Sequence, residues 1–318
     1  MITQKSPWRR IALTVSAMLI VLLLAASYRF AVSRGFFASV EDKTPAACHT
    51  VDGVSGVTAI TPDERTRSAL VATRQGGVYV VAGGTATKLS GTPHDFHPVA
   101  IALAAGKLQA IFQRADGSYA LAVFDVLPGT LVETGRLTTD QLTDPADLAA
   151  VDDQRFYLVN KHASHTAFGR WLDDTFLIPR AEVLYFDGMK FIPVAKRLNS
   201  PAAVALSPDG GQLVVAQELT RSMASFSRNV FTGALDHPEL SNLPAAPTRI
   251  TVAADGSLIV AAWPKRGAGA GYRVRIEGGV AQPEELLYSS KSDEVTAAAE
   301  ANGHLLVGSA KGLRDCKL

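Results

Sequence analysis

Three groups of side chains in this 318-residue chain have the types and spacing that chemistry needs. His94, Asp95 and His97 lie together just ahead of Pro98. Their H-x-x-H spacing could bring two neutral imidazoles to a metal ion, provided further ligands arrive from elsewhere. His162 and His165 repeat the spacing. An imidazole at 162 could act as a general base if a carboxylate such as Asp173 or Asp174 oriented it. Glu218 closes an apolar run and could serve as a general base or as a buried acid holding strands together. Each group also has a plainer reading, as a loop cluster, a hydrogen-bonded structural histidine and a structural acid. There is no G-x-S-x-G elbow to activate a serine. No dinucleotide or P-loop glycine pattern appears either, and the glycine-rich Lys265–Tyr272, KRGAGAGY, reads as a flexible loop between strands.

The elements that must position these groups centre on Ser200–Glu218, SPAAVALSPDGGQLVVAQE. Two short valine- and alanine-rich runs flank Ser207-Pro208-Asp209-Gly210-Gly211, where Pro, Asp and Gly build a tight turn. The runs are too short for helices and read as a β-hairpin. Related hairpins recur around Asp63, Gly106, Asp152-Asp153, Asp255-Gly256 and Asn302-Gly303. First strands at Val57, Val99, Asp147, Ala202, Arg249 and Val295 are spaced 42 to 55 residues apart. Six units of that period, with four short strands each, predict an all-β, six-bladed β-propeller. The small first strands are expected to line its central channel. A β-sandwich is the alternative, but it gives no reason for the repeat.

Ahead of the propeller, Lys5, Arg9 and Arg10 precede an uncharged run that ends at Tyr28. Residues 11–28 are long enough for a signal anchor or transmembrane helix, and near the length of a removable signal-peptide core. With the cations inside, the expected organisation is a cytoplasmic tail (1–10), an anchor in the lipid bilayer (11–28), a linker (29–47) and an extracytoplasmic propeller (48–318), periplasmic in a bacterium. Beyond residue 40 the chain holds 26 Lys and Arg against 30 Asp and Glu, which leaves no electrostatic footprint for nucleic acid. Cys48 and Cys316 bracket the repeats. A propeller brings its ends together in one blade, so the pair could form a ring-closing disulfide outside the cytoplasm. Two unrelated thiols are the alternative.

The blade AVALSPDGGQLVVAQE, the stretch PADLAAVDDQRFYLVNKH followed by AEVLYFDG, the segment HDFHPVAIAL and the tail GSAKGLRDCKL resemble the paraoxonase/arylesterase family. That family comprises calcium-dependent six-bladed propellers related to gluconolactonases and strictosidine-synthase-like propellers. The resemblance runs in order over residues 48–318. It implies lactone or aryl-ester hydrolysis, and Cys48 and Cys316 match the family's ring-closing disulfide.

The resemblance also shows what is missing. The family's catalytic calcium positions fall on Gly56, Ala146, Ala202, Thr248 and Arg249, none of which offers a carboxylate or amide. Its histidine dyad falls on Val99 and Arg114. At the structural calcium an acid becomes Val57, leaving Asp147 and the backbone carbonyl position of Ile101. Hard cations need six to eight oxygens. No metal or other cofactor is therefore expected, calcium only if an altered site survives. Arg249 is expected to put a fixed cation where the metal charge would lie, with Asp147 and Glu218 as partners. Arg114 should face the channel with it, His97 neighbours the family histidine, and His162 matches the histidine of N-D-H. Ala163–Arg180, carrying Phe168, Trp171, Phe176 and Leu177, departs from the blade rhythm and should lie over the channel mouth or against the membrane. Two functions follow: a non-catalytic propeller that binds a small molecule or protein at its channel face, or a diverged arylesterase- or lactonase-like hydrolase using a metal-independent or altered site.

Overall fold

The structure is a computed structural model that describes residues 7–33, 35, 36 and 38–318. Helix α1 (Pro7–Ser33) precedes strand β1 (Cys48–Val51). Blade 1 follows as β2 (Val57–Asp63), β3 (Ser68–Thr73), β4 (Val78–Ala82) and β5 (Thr85–Lys88). Blade 2 is β6 (His97–Ala104), β7 (Lys107–Gln113), β8 (Tyr119–Leu127) and β9 (Thr130–Leu137). Blade 3 is β10 (Pro145–Ala150), β11 (Phe156–Asn160), β12 (Ala181–Phe186) and β13 (Phe191–Leu198), with α2 (Ala167–Phe176) inserted after β11. Blade 4 is β14 (Pro201–Leu206), β15 (Gln212–Gln217), β16 (Ser222–Arg228) and β17 (Leu235–Asn242). Blade 5 is β18 (Ala246–Val252), β19 (Leu258–Trp263), β20 (Gly269–Glu277) and β21 (Val280–Ser290). Blade 6 is β22 (Val295–Ala301), β23 (His304–Ser309) and β24 (Leu313–Lys317), with β1 as its outermost strand. Each blade is a four-stranded antiparallel meander.

The expected six blades are present, and every expected first strand lies innermost, packed against the first strands of both neighbours. Small side chains are needed where six strands converge, hence Ala203, Ala205, Ala297 and Ala299. Second strands are sandwiched between adjacent blades and read as near-continuous apolar runs: β3, β11, β15, β19 and β23 are buried almost throughout. Outer strands such as β17 are exposed along most of their length. The turns follow their residues. Asp209 Oδ1 accepts from Ser207 Oγ at 2.6 Å and from Gly211 N at 3.0 Å. Asn302 and Gly303 both take positive φ (52° and 75°), the paired left-handed geometry of a two-residue hairpin turn.

Lys265–Tyr272 differs from the expected flexible loop, because its last four residues begin β20. A Cβ at Gly269 would stand 2.3 Å from Val295 N and 2.5 Å from Asp293 O. This glycine lets blade 5 approach the chain entering blade 6, and it serves packing rather than mobility.

The ring closes as the spacing of the cysteines implies. Cys48 and Cys316 are register partners of antiparallel β1 and β24 and are joined by a disulfide. The preceding chain is also engaged, since Lys43 pairs with Ser289 at the outer edge of blade 5. Helix α1 runs past the expected end at Tyr28, because a single Arg29 interrupts an apolar run but not a helix. Ile11–Val32 is long and apolar enough to cross a membrane and is not buried in the protein. Its end, with Tyr28, Arg29 and Val32, borders a depression shared with Leu177, Leu219, Thr220 and Arg221. Lys5 lies outside the described residues.

Candidate binding site at the channel mouth

The same irregularity recurs in all six blades. Pairing of first and second strands shifts register between Val57 and Ala59, Pro98 and Ala100, Pro145 and Asp147, Pro201 and Ala203, Pro247 and Arg249, and Val295 and Ala297. A bulge leaves one residue unpaired and re-aims it. The unpaired residues are Thr58, Val99, Ala146, Ala202, Thr248 and Thr296, and all six line one cavity of about 540 Å³ at the channel mouth. A second ring forms its wall. The residues reached at the end of the second strands, Arg74, Gln113, Lys161, Glu218 and Trp263, line the same cavity, together with Val57, His97, Pro98 and Arg249.

Arg249 crosses the channel floor. Its Nη1 donates to Ala146 O at 3.1 Å and to the Asp147 carboxylate at 2.5 Å; its Nη2 donates to Val99 O at 2.9 Å and Thr58 O at 3.3 Å. Three of the four acceptors are bulge carbonyls, turned inward because the bulge withdraws them from the sheet ladder. The other Asp147 oxygen accepts from Val204 N at 3.0 Å. One buried ion pair therefore ties blade 5 to blades 1, 2 and 3, and through Asp147 to blade 4. Burial pushes the Asp147 carboxyl up, while Arg249 and the Val204 N–H pull it back. The remaining blade is joined by hydroxyl and indole donors: Thr296 Oγ1 to Val57 O at 2.7 Å, and Trp263 Nε1 to Val295 O at 2.9 Å.

These residues do not fit calcium. Of the positions that match the family's calcium ligands, Gly56 has no side chain, Ala146 and Ala202 carry methyl groups, Thr248 a hydroxyl and Arg249 a guanidinium. The convergent carbonyls that a cation would use already accept from Arg249. Asp147 is the single carboxylate there, and it is taken. Ile101 pairs within its sheet with Ala110 and is buried; the carbonyl turned to the channel is that of Val99, two residues earlier. Gly56 sits at the junction with blade 6, its N–H on Ala310 O. Among the described residues no three His, Cys, Asp or Glu side chains gather in a way that could hold a metal ion.

Glu218 lines the mouth but does not reach Arg249; its Oε2 accepts from Lys161 Nζ at 2.5 Å. The cause is its place in the wall ring, beside Lys161 of blade 3, and not on the floor. Arg114 does not line the mouth either. It lies in the β7–β8 turn, half-exposed, 3.4 Å from Asp116 and 3.9 Å from Asp95. Gln113, one residue earlier, faces the mouth in its stead. His97 is at the mouth, with Nδ1 3.1 Å from Arg74 O. A carbonyl only accepts, so Nδ1 carries the hydrogen that faces Arg74 O, and Nε2 is the ring nitrogen left toward the mouth. His94 is exposed and does not join it.

His162 is held by two carboxylates rather than one. Nδ1 lies 2.5 Å from Asp144 Oδ2 and Nε2 lies 2.8 Å from Asp174 Oδ1. Burial works against a charged ring, but the two carboxylates outweigh it and push the imidazole up to about 9. With both nitrogens protonated and engaged, it has no lone pair to accept a proton. The general-base reading of His162 therefore fails; the residue clamps α2 to blade 3. Asp173, the other candidate orienting acid, is buried beside Arg180 at 3.3 Å, and His165 is exposed. Arg170 reinforces the clamp, 3.3 Å from Asp144 and donating to Thr143 O at 2.9 Å. On the other side of α2, Phe168, Trp171 and Phe176 are exposed. Four contributors to the mouth escape a motif reading: Arg74, Gln113, Lys161 and Trp263. Their common signal is position, at the end of each second strand.

Solved structures carry this architecture. A luciferin-regenerating enzyme aligns with a TM-score of 0.61 at 13% identity, over 86% of this chain and 95% of its own. A gluconolactonase from Xanthomonas campestris aligns at 0.59 and 15%, over 87% and 95%. A calcium-binding protein, regucalcin, from Agrobacterium tumefaciens aligns at 0.60 and 16%, over 87% and 95%. At such identities they speak for the fold alone. No curated protein matches the chain by sequence. A family profile described as Arylesterase does match, over residues 116–278, from the last turn of blade 2's inner half through blades 3 and 4 into blade 5. That is just over half of the chain, and with the shared architecture it means that the chain belongs to the arylesterase family.

Proposed function

We propose that this protein is a membrane-anchored, extracytoplasmic propeller that has kept the arylesterase scaffold and uses the channel mouth to bind a small molecule, without the family's calcium-dependent hydrolysis. One observation carries the reading: the Arg249 guanidinium occupies the floor, donating to three bulge carbonyls and Asp147. A fixed cation there holds the ring together as a metal would, but it has no exchangeable ligand position and cannot polarise a carbonyl as a Lewis acid or lower the pKa of a bound water. The structural neighbours include a gluconolactonase and a calcium-binding protein; with a guanidinium on the floor, neither activity is expected of this chain. The anchor is supported by the apolar stretch Ile11–Val32, and the compartment by the disulfide. The anchor's end beside Leu177 and Leu219 favours a mouth that looks toward the bilayer, with α2 and its exposed aromatic side chains between them.

The test is metal content together with aryl-ester and lactone turnover on the full chain extracted in detergent, with and without added calcium. Neither bound calcium nor calcium-dependent turnover is expected. Stoichiometric calcium with calcium-dependent turnover overturns the proposal. Metal-free turnover that responds to His97→Gln would replace it with the hydrolase reading, because His97 is the imidazole that lines the mouth.

A further inference from the structure

The mouth has more donors than acceptors. On its floor, Arg249 is nine-tenths buried and its Nε has no hydrogen-bond partner among the described residues. That N–H is closed off from the cavity, so the ligand-facing donors are those of the wall and the rim. On the wall, Lys161 spends one donor on Glu218. At the rim, Arg74 is exposed, lines the cavity, and brings its guanidinium to no carboxylate among the described residues. The charges do not cancel: Lys161 is matched by Glu218 and Arg249 by Asp147, while Arg74 is surplus. Apolar and aromatic surface comes from Val57, Pro98, Val99, Ala146 and Ala202 below and Trp263 on the wall, interspersed with the uncharged Thr58, Gln113, Thr248 and Thr296.

From this imbalance we infer that the channel mouth binds a small organic carboxylate with an apolar or aromatic body. The anion meets Arg74, whose planar fork suits two carboxylate oxygens. The body lies on the small-residue floor against the Trp263 ring. His97 Nε2, beside Arg74 across the His97–Arg74 hydrogen bond, adds a polar ring nitrogen at the mouth that suits a ligand also carrying a hydroxyl. The inference rests on the mouth being a binding site and adds the class of ligand.

The experiment is calorimetric titration of the full chain in detergent with 2-naphthoate and with its neutral analogue 2-naphthamide, repeated on Arg74→Gln and Trp263→Ala. Arg74 is exposed, so its substitution leaves the fold intact. The naphthoate is expected to bind at least roughly tenfold more tightly than the amide, the margin of one charge-assisted bidentate contact. Arg74→Gln should remove that preference and leave the amide unchanged; Trp263→Ala should weaken both ligands alike. Equal affinity for acid and amide, an Arg74→Gln variant that keeps the preference, or no naphthoate binding at all overturns the inference. Those results leave the calcium-free reading standing, whereas calcium-dependent turnover would remove that reading whatever the naphthoate does.

Discussion

The channel floor and the cap over blade 3 solve the same problem with different cations. At the floor, Arg249 gathers three backbone carbonyls and one carboxylate. At the cap, His162 gathers two carboxylates, with Arg170 beside them. The floor joins segments 102 to 191 residues apart and His162 joins acids 12 and 18 residues away, and both bury charge that stabilises only when its partners are present. They differ in permanence. A guanidinium stays charged at any pH a cell meets, whereas an imidazole near 9 loses its proton within reach of ordinary buffers. The floor is thus a constant of the fold, and the cap is conditional.

Removing the floor cation should have the largest effect. Arg249→Met leaves Asp147 buried with only its backbone N–H contacts and strips three inward carbonyls of their donor. Breaking one side of a buried pair costs roughly 3–5 kcal/mol. The urea midpoint of the full chain should fall accordingly. Arg249→Lys should fall between, keeping the charge and losing the fork. Asp147→Leu combined with Arg249→Met should recover most of the loss, since a buried pair exchanged for apolar groups is often neutral. An unchanged midpoint in Arg249→Met would mean that the floor does not hold the ring, and the contrast with the cap would collapse.

The cap sharpens the comparison through pH. His162 titrates at about 9 in the folded protein against an ordinary 6.5. Its contribution is therefore fully present below about 6.5 and is lost as pH rises through 9. The difference amounts to about 3 kcal/mol. The charged and titratable groups facing the ring are Asp144, Asp174, Arg170, Lys161 and Tyr119. The stability gap between wild type and His162→Gln should narrow from pH 6.5 to 9.5, while the gap between wild type and Arg249→Met stays level. A His162→Gln gap that does not change with pH would show that the ring is not the conditional element.

Much of this was legible before the structure, and the omissions have one cause. The inner strands at Val57, Val99, Asp147, Ala202, Arg249 and Val295 could be read because small-residue runs and Asp-Gly or Asn-Gly turns repeat. The Cys48–Cys316 pairing followed from ring closure. The Arg249–Asp147 pair was found through family resemblance, which fixes inner-strand positions well. Of the wall only Glu218 was, because no motif marks the ends of the second strands. Gln113 took the place expected for Arg114, and Arg74 and Trp263 carried no signal except rank in their strands. The second acid on His162 was missed for a related reason. Asp144 lies eighteen residues upstream, just ahead of β10, and only the pairing of β10 with β11 brings it alongside.

The smallest effect should separate the cap from the ring altogether. Thr166 is the N-cap of α2, its Oγ1 accepting from Gly169 N at 3.1 Å, and Leu177 ends the helix in a left-handed conformation with its N–H on Asp173 O. A ten-residue helix is marginal alone, so α2 depends on its caps and on the His162 and Arg170 contacts. Thr166→Ala should cost about 1 kcal/mol. Because α2 hangs on blade 3 by side chains and adds no strand to it, that cost should appear as faster amide exchange within Ala167–Phe176 and leave exchange in β10, β14 and β18 unchanged. Arg249→Met should do the reverse, loosening the inner strands first. Exchange that rises together in α2 and the inner strands of Thr166→Ala would show that cap and floor are one cooperative unit, and the distinction between constant and conditional would no longer hold.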